Sequence, residues 1–171
     1  MLLPGTRRQW DGRQHATLRR RAAGTRHRGA AIDLPRRRAE DAVPAFHLAV
    51  PNAPDVVVGG HSYGGRIASL AAAEPGAAYA ALVLFSYPLH PPGAPEKAEA
   101  RTAHWADIAC PTLLLSGGSD PFARIDLLRS AVSRIGGPAE LVTYPRVGHT
   151  LKSVLGDALD RTAAFLARHG D

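Results

Sequence analysis

The chain contains one cysteine, Cys110, one methionine and two lysines, and aromatic residues fill only 6% of its 171 positions. A lone cysteine excludes an internal disulfide, and its place before Pro111 and an apolar run suits a buried structural thiol. No apolar run approaches the ~18–20 residues of a membrane span. The basic N-terminus lacks the apolar block of a secretion signal. A cytoplasmic location is therefore expected, with no membrane partner. Few aromatics speak against a single-strand nucleic-acid binder, which stacks bases on interleaved rings. No spacing of histidine, cysteine and acidic residues reads as a metal site, and neither metal nor cofactor is expected.

Arginine is what the chain has in quantity. There are nineteen, and eleven of them fall in residues 1–38 against only Asp11 and Asp33. That segment carries +9 and the remainder −3, for a total of +6. An Arg-rich segment can contact nucleic acid or an anionic surface. Here arginine displaces lysine along the whole chain and alanine is abundant throughout, which reads as coding bias rather than selection for phosphate. Nucleic acid is not an expected partner, and contact through the N-terminus is the lesser alternative. The length suits one domain, residues 1–171, able to bury a core without staples. Residues 1–29 form its Arg-rich strand, loop and helix.

Punctuation and periodicity place the elements. A strand end runs into a loop over 1–6, and a poorly amphipathic helix follows at 14–23. Residues 30–35 read as a short buried strand, and 40–50 as a helix with Val43, Phe46 and Val50 on one face. Further strands are expected at 56–58, 81–85, 112–115 and 141–144. A helix at 123–135 turns Ile125, Leu128 and Val132 inward. A last helix at 151–167 is built around Val154, Leu155, Leu159, Ala163 and Phe165. Residues 86–104 are proline-rich and read as irregular. The strands are continuous apolar runs alternating with helices, which implies a mostly parallel sheet of about six strands with helices on both faces. Ligands bind such sheets at the C-terminal edge of the strands.

The stretch from Val56 to Arg66 organises the rest. A β-branched run ends in Gly59-Gly60, then His61-Ser62-Tyr63-Gly64-Gly65 leads into a helical pattern. This is the strand–turn–helix pattern of a nucleophilic serine, with small residues at Gly60 and Gly64 so that strand and helix can pass. The helix N-terminus behind Ser62 favours developing negative charge. Asp120 follows the strand at 112–115, and His149 follows the strand at 141–144. Taken alone, Asp120 reads equally well as a helix cap and His149 as a surface loop histidine. Together they stand at one sheet edge in the order serine, aspartate, histidine, which is the order of α/β-hydrolases. A serine hydroxyl attacks only once an imidazole takes its proton, and the imidazole needs a carboxylate to fix its tautomer. Asp33 is a fallback acid. Backbone donors for an oxyanion are expected at Tyr63 and in the loop at Gly5 and Thr6. His61, Tyr87 and His90 are expected to line the substrate pocket. His15, His27, His47, His104 and His169 read as surface residues.

Four tracts carry a likeness to a known family: residues 60–66, then 87–93 (Tyr-Pro-Leu-His-Pro-Pro-Gly), then Gly118 to Phe122, and finally Gly148-His149. In these the chain resembles small lidless α/β-hydrolases related to dienelactone hydrolases, a group that includes the KANL- and Tex-type hydrolase-like proteins. The resemblance covers about residues 30–170, and more loosely 1–29. It implies the α/β-hydrolase fold without a cap domain, with Ser62, Asp120 and His149 as the triad; members of the group usually begin with one or two more strands, so an N-terminally shortened form of the fold is expected. The expected activity is hydrolysis of a small ester or related acyl substrate through an acyl-enzyme intermediate. The alternative is a catalytically weak or inactive interaction domain of the same fold.

Overall fold

The computed structural model describes residues 30–169. The strand and loop expected over 1–6, with Gly5 and Thr6, and the helix expected over 14–23 lie outside them. In chain order the elements are helix α1 (Ala39–Ala49), strand β1 (Val57–His61), helix α2 (Tyr63–Ala72), strand β2 (Ala81–Phe85), short helix α3 (Ala98–Thr102), strand β3 (Thr112–Gly117), helix α4 (Ile125–Val132), strand β4 (Ala139–Tyr144) and helix α5 (Leu155–His169). The four strands form one parallel sheet in the order β1-β2-β3-β4. Each crossover therefore delivers the chain to the adjacent strand, and all strand C-termini fall along one edge.

Side chains on each strand alternate between the two faces. Leu82, Leu84 and Leu114 pack with Phe46 of α1, Ile67 and Ala71 of α2, and Leu128 of α4. Ala81, Val83, Leu113 and Leu115 pack with Ala158, Phe165 and Leu166 of α5. Among the described residues, α1, α2 and α4, with Ala98 of α3, thus lie on one face and α5 on the other. Because both faces are covered, β2 and β3 read as unbroken apolar runs.

The structure corrects the sequence reading in three places. Four strands are present among the described residues, and the strand expected over 1–6 lies outside them. The expected strand at 30–35 is reduced to a single bridging residue, Asp33, because only Ile32 and Leu34 pack on the core before Pro35 ends the run. The second half of the 86–104 stretch is helical: a turn at Pro95–Lys97 leads into α3, followed by another turn at Ala103–Asp107. Beyond Pro95 the residues are good helix formers, and Ala98, Thr102 and Trp105 fall inward. Helix α5 buries Ala158, Thr162, Phe165 and Leu166, leaving Leu155 50% and Leu159 41% exposed. Thr162 can sit inside because its hydroxyl donates to the Ala158 carbonyl at 2.8 Å.

Candidate active site

β1 ends at His61, and Ser62 is the whole turn into α2. Its φ of 53° and ψ of −116° lie where non-glycine residues are rarely found. Such strain is of order 1–3 kcal/mol and persists only where surroundings enforce it. Here the Ser62 N–H donates to the Phe85 carbonyl at the end of β2 (2.8 Å), and the Ser62 carbonyl accepts from Arg66 N–H in the first turn of α2 (3.0 Å). The turn is clamped from both sides. Tyr63, the first residue of α2, is among those whose N–H a helix leaves without an internal acceptor. It adjoins Ser62 Oγ on the positive end of the helix dipole.

Asp120 and His149 come from the two loops that follow β3 and β4. Gly118 N–H donates to the Tyr144 carbonyl (2.7 Å) and Ser119 N–H to the Val147 carbonyl (2.9 Å), so the two loops are bonded to each other. Asp120 Oδ1 accepts from the Phe122 N–H at 2.9 Å, which stiffens its own turn. The cap position of α4 is Arg124, so Asp120 does not cap that helix. Asp120 Oδ2 lies 2.8 Å from His149 Nδ1, and His149 Nε2 lies 2.8 Å from Ser62 Oγ. The Asp120 carboxyl is fully buried and the His149 side chain is 20% exposed. An ionised carboxylate only accepts, so Nδ1 carries the ring proton and Nε2 accepts from the serine hydroxyl. A buried carboxylate, an imidazole and a hydroxyl in that sequence can withdraw a proton from the serine as it attacks.

The His149 ring is held on two sides. Phe122 lies against it with centroids 4.7 Å apart, and His61 meets it edge-on at 4.9 Å. Phe122 has no role in the sequence reading, although its place two residues after the acid is the signal that would have found it.

Ser62, Asp120 and His149, expected together from their positions after strands, are brought together. Asp33, the fallback acid, is an exposed residue before α1. Tyr87 and His90, expected at the substrate pocket, are both buried and bonded to neighbouring backbone. Tyr87 is 1% exposed, its hydroxyl donates to the Arg101 carbonyl at 2.9 Å, and its ring packs on Trp105. His90 is 3% exposed; its Nδ1 donates to the Pro91 carbonyl (2.8 Å) and its Nε2 accepts from Arg124 N–H (3.1 Å). Its own N–H donates to the Phe122 carbonyl at 3.0 Å, so His90 braces the loop that carries Asp120. His61 is half-buried and its Nε2 is taken up by the His149 carbonyl, 2.8 Å away.

Two further corrections concern histidine and cysteine. His104 is not a free surface residue: its Nε2 lies 2.9 Å from Ser69 Oγ, and burial pushes the imidazole down to about 4. Cys110 is half-buried, and burial raises its thiol above the ordinary value. The sequence also gives no hint of the hub formed by Arg66 of α2. Its guanidinium pairs with Glu40 of α1 and donates to the Arg101 carbonyl at 3.1 Å, joining α1, α2 and α3. Among the described residues, no group of three or more histidine, cysteine and acidic side chains could hold a metal ion, and no helix is long and apolar enough to cross a membrane.

Comparison with known proteins agrees with the class that this sheet and turn define. Residues 17–166 match the family model of the alpha/beta hydrolase domain, and the chain belongs to that family. Solved structures similar to it include a dienelactone hydrolase from Anabaena variabilis ATCC 29413, with 25% identity and a TM-score of 0.53 over 67% of this chain and 50% of that one. The Pyrococcus furiosus esterase Pf2001 aligns with 16% identity and a TM-score of 0.59 over 76% of this chain and 60% of its own. Thermogutta terrifontis esterase 2, in a form phosphonylated by sarin, aligns with 17% identity and a TM-score of 0.53 over 67% of this chain and 56% of its own. The chain thus spans less than two thirds of each of these structures. A sequence search of curated proteins finds no match.

Proposed function

We propose that this chain is a serine hydrolase that cleaves a small ester or related acyl substrate through an acyl-enzyme intermediate. The observation that carries the reading is the unbroken line from the Asp120 carboxyl through His149 to Ser62 Oγ, with both contacts at 2.8 Å. Membership of the alpha/beta hydrolase family supports it.

In the proposed reaction Ser62 Oγ attacks the acyl carbon as its proton passes to His149 Nε2. Asp120 stabilises the imidazolium that results. The Tyr63 N–H is one donor for the oxyanion of the tetrahedral intermediate, and the second is assigned to Gly5 or Thr6. Collapse of the intermediate expels the alcohol, which takes its proton from His149. A water molecule then gives a proton to the same nitrogen, attacks the acyl-enzyme and releases the acid, restoring Ser62. The steps use the chain's own groups and water.

The test is active-site labelling with a fluorophosphonate, the reagent class that corresponds to the phosphonylated Thermogutta esterase. Wild type is expected to label and to hydrolyse short p-nitrophenyl esters, and Ser62→Ala to do neither. Labelling that survives in Ser62→Ala overturns the assignment of the nucleophile.

A further inference from the structure

The residue before the nucleophile makes a contact that the proposed reaction does not account for. His61 closes β1, and its Nε2 sits 2.8 Å from the backbone carbonyl of His149, 88 residues away in sequence. A carbonyl only accepts, so His61 carries a proton on Nε2 and donates it. The two rings meet edge-on with centroids 4.9 Å apart and planes at 66°. The loop after β4 is bonded to the loop after β3 at Tyr144 and Val147. His61 supplies a tether from the opposite side, on the strand that carries Ser62, and it acts on the backbone of His149 itself.

From this we infer that His61 is a positioning residue for His149, holding the backbone of the base so that Nε2 meets Ser62 Oγ while Nδ1 stays on Asp120. The inference rests on the hydrolase reading above. An imidazole can turn about its χ angles, and two hydrogen bonds from its ring fix the ring only if its Cα stays still. Ser62 is clamped by Phe85 and Arg66, and Asp120 by its own turn and by His90. His61 completes the set by fixing the third member. A misplacement of about 1 Å is enough to lower a rate by about 10²-fold, so one tether of this kind has a measurable effect.

The edge-on ring adds an electrostatic condition. His149 becomes a cation each time it accepts the serine proton, and a second cation 4.9 Å away would oppose that step. Among the described residues, the charged and titratable groups that bear on His61 include His149 from the loop after β4 and Asp120 from the loop after β3. Burial holds the His61 imidazole below the ordinary histidine value, ahead of the opposing pull of the His149 carbonyl and Asp120. His61 therefore stays neutral at pH values where an exposed histidine is already charged. Its protonation at lower pH adds a second unfavourable event on the acid side of the rate profile.

The experiment compares wild type, His61→Phe and His61→Gln, each checked for folding by circular dichroism. Phenylalanine keeps the ring and removes the donor; glutamine keeps a donor and removes the titration. We expect kcat for p-nitrophenyl acetate to fall about 10–100-fold in His61→Phe with KM changed less than about threefold. His61→Gln should recover most of that loss and show a shallower acid limb than wild type. The downfield proton resonance of His149 Nδ1 should broaden or vanish in His61→Phe and persist in His61→Gln. A His61→Phe enzyme with wild-type kcat and an unchanged His149 resonance overturns the role of His61 alone. Equal losses in both folded variants also overturn it, because they would show a general packing effect. A wild type that neither labels nor hydrolyses esters overturns the hydrolase reading instead.

Discussion

Gly65 faces Gly60 across the turn at Ser62: a Cβ on Gly65 would stand 2.7 Å from the Gly60 carbonyl oxygen, and one on Gly60 would stand 2.8 Å from the Gly64 carbonyl carbon. Both collisions are with backbone, which cannot swing aside. Among the described residues, nothing lies within 4 Å of the missing Cβ of Gly64, the position two after the serine. The close passage of strand and helix is thus made one residue later than the usual spacing of such turns suggests. Gly65→Ala is expected to lower stability by about 1–3 kcal/mol or more through overpacking. Gly64→Ala should leave stability unchanged or raise it by up to about 1 kcal/mol, since alanine is the better helix former. Urea unfolding midpoints of the two variants decide the matter.

Asp120→Asn tests the electrostatic half of the proposed triad. An asparagine amide can occupy the same space, but if its NH₂ faces His149 Nδ1, that nitrogen must accept. The ring proton then moves to Nε2, where it points at Ser62 Oγ and blocks proton transfer. The expected fall in kcat is about 10³–10⁴-fold, with far-UV circular dichroism unchanged. A loss smaller than tenfold on p-nitrophenyl acetate would count against Asp120 as the partner.

His104 predicts an acid-sensitive fold. Its imidazole titrates near 4 in the folded chain because burial opposes the charge, and near 6.5 when unfolded. The folded value is depressed, so the unfolded state takes up the proton first as pH falls. Stability is therefore unaffected above about pH 7 and declines from about pH 6.5 towards pH 4. By pH 4.5 the loss is about 2–3 kcal/mol. His104→Gln keeps a donor towards Ser69 and removes the titration, so its Tm should fall less than that of wild type between pH 7 and 4.5.

Arg66 and Glu40 pair, yet they should not respond equally to substitution. The Arg66 side chain is 14% exposed and Glu40 is 46% exposed. Arg66→Met also strips a donor from the Arg101 carbonyl, and a loss of about 1.5–3 kcal/mol is expected for a charge-assisted bond in a dry setting. Glu40→Gln should lose less than about 1 kcal/mol, as exposed ion pairs do. Chemical denaturation of both variants measures the contrast.

The two faces of α5 give a further comparison. Phe165 is 1% exposed in the cluster under β2 and β3, and Phe165→Ala should lower stability by about 3–5 kcal/mol. Leu155→Gln and Leu159→Gln replace residues that are 50% and 41% exposed and should each shift it by less than about 1 kcal/mol. Thermal unfolding of the three variants tests whether α5 is oriented as described.

What the sequence revealed and what it hid both follow from physical causes. Strands β1, β2, β3 and β4 could be read because a parallel strand covered on both faces is an unbroken apolar run bounded by glycine or proline. Ser62, Asp120 and His149 could be read because each follows such a run, and a parallel sheet puts all those positions at one edge. The orientation of α5 could not, because Leu155 and Leu159 offer an apolar stripe as convincing as the one through Ala158 and Phe165. Tyr87 and His90 were hidden by their setting: a proline-rich loop has no period from which to tell inward from outward. His61 was hidden because its acceptor is a backbone carbonyl, which leaves no mark in the sequence.

Tyr63 has a second tie, made through its side chain. Its hydroxyl lies 2.8 Å from the Pro35 carbonyl oxygen and 2.9 Å from that of Arg37, so one proton rivets the neighbour of Ser62 to the segment leading into α1. That segment carries three exposed arginines, Arg36, Arg37 and Arg38. A trypsin-like cut there would free one end of the rivet without touching any of Ser62, Asp120 and His149, and the amide proposed to receive the oxyanion would lose its anchorage.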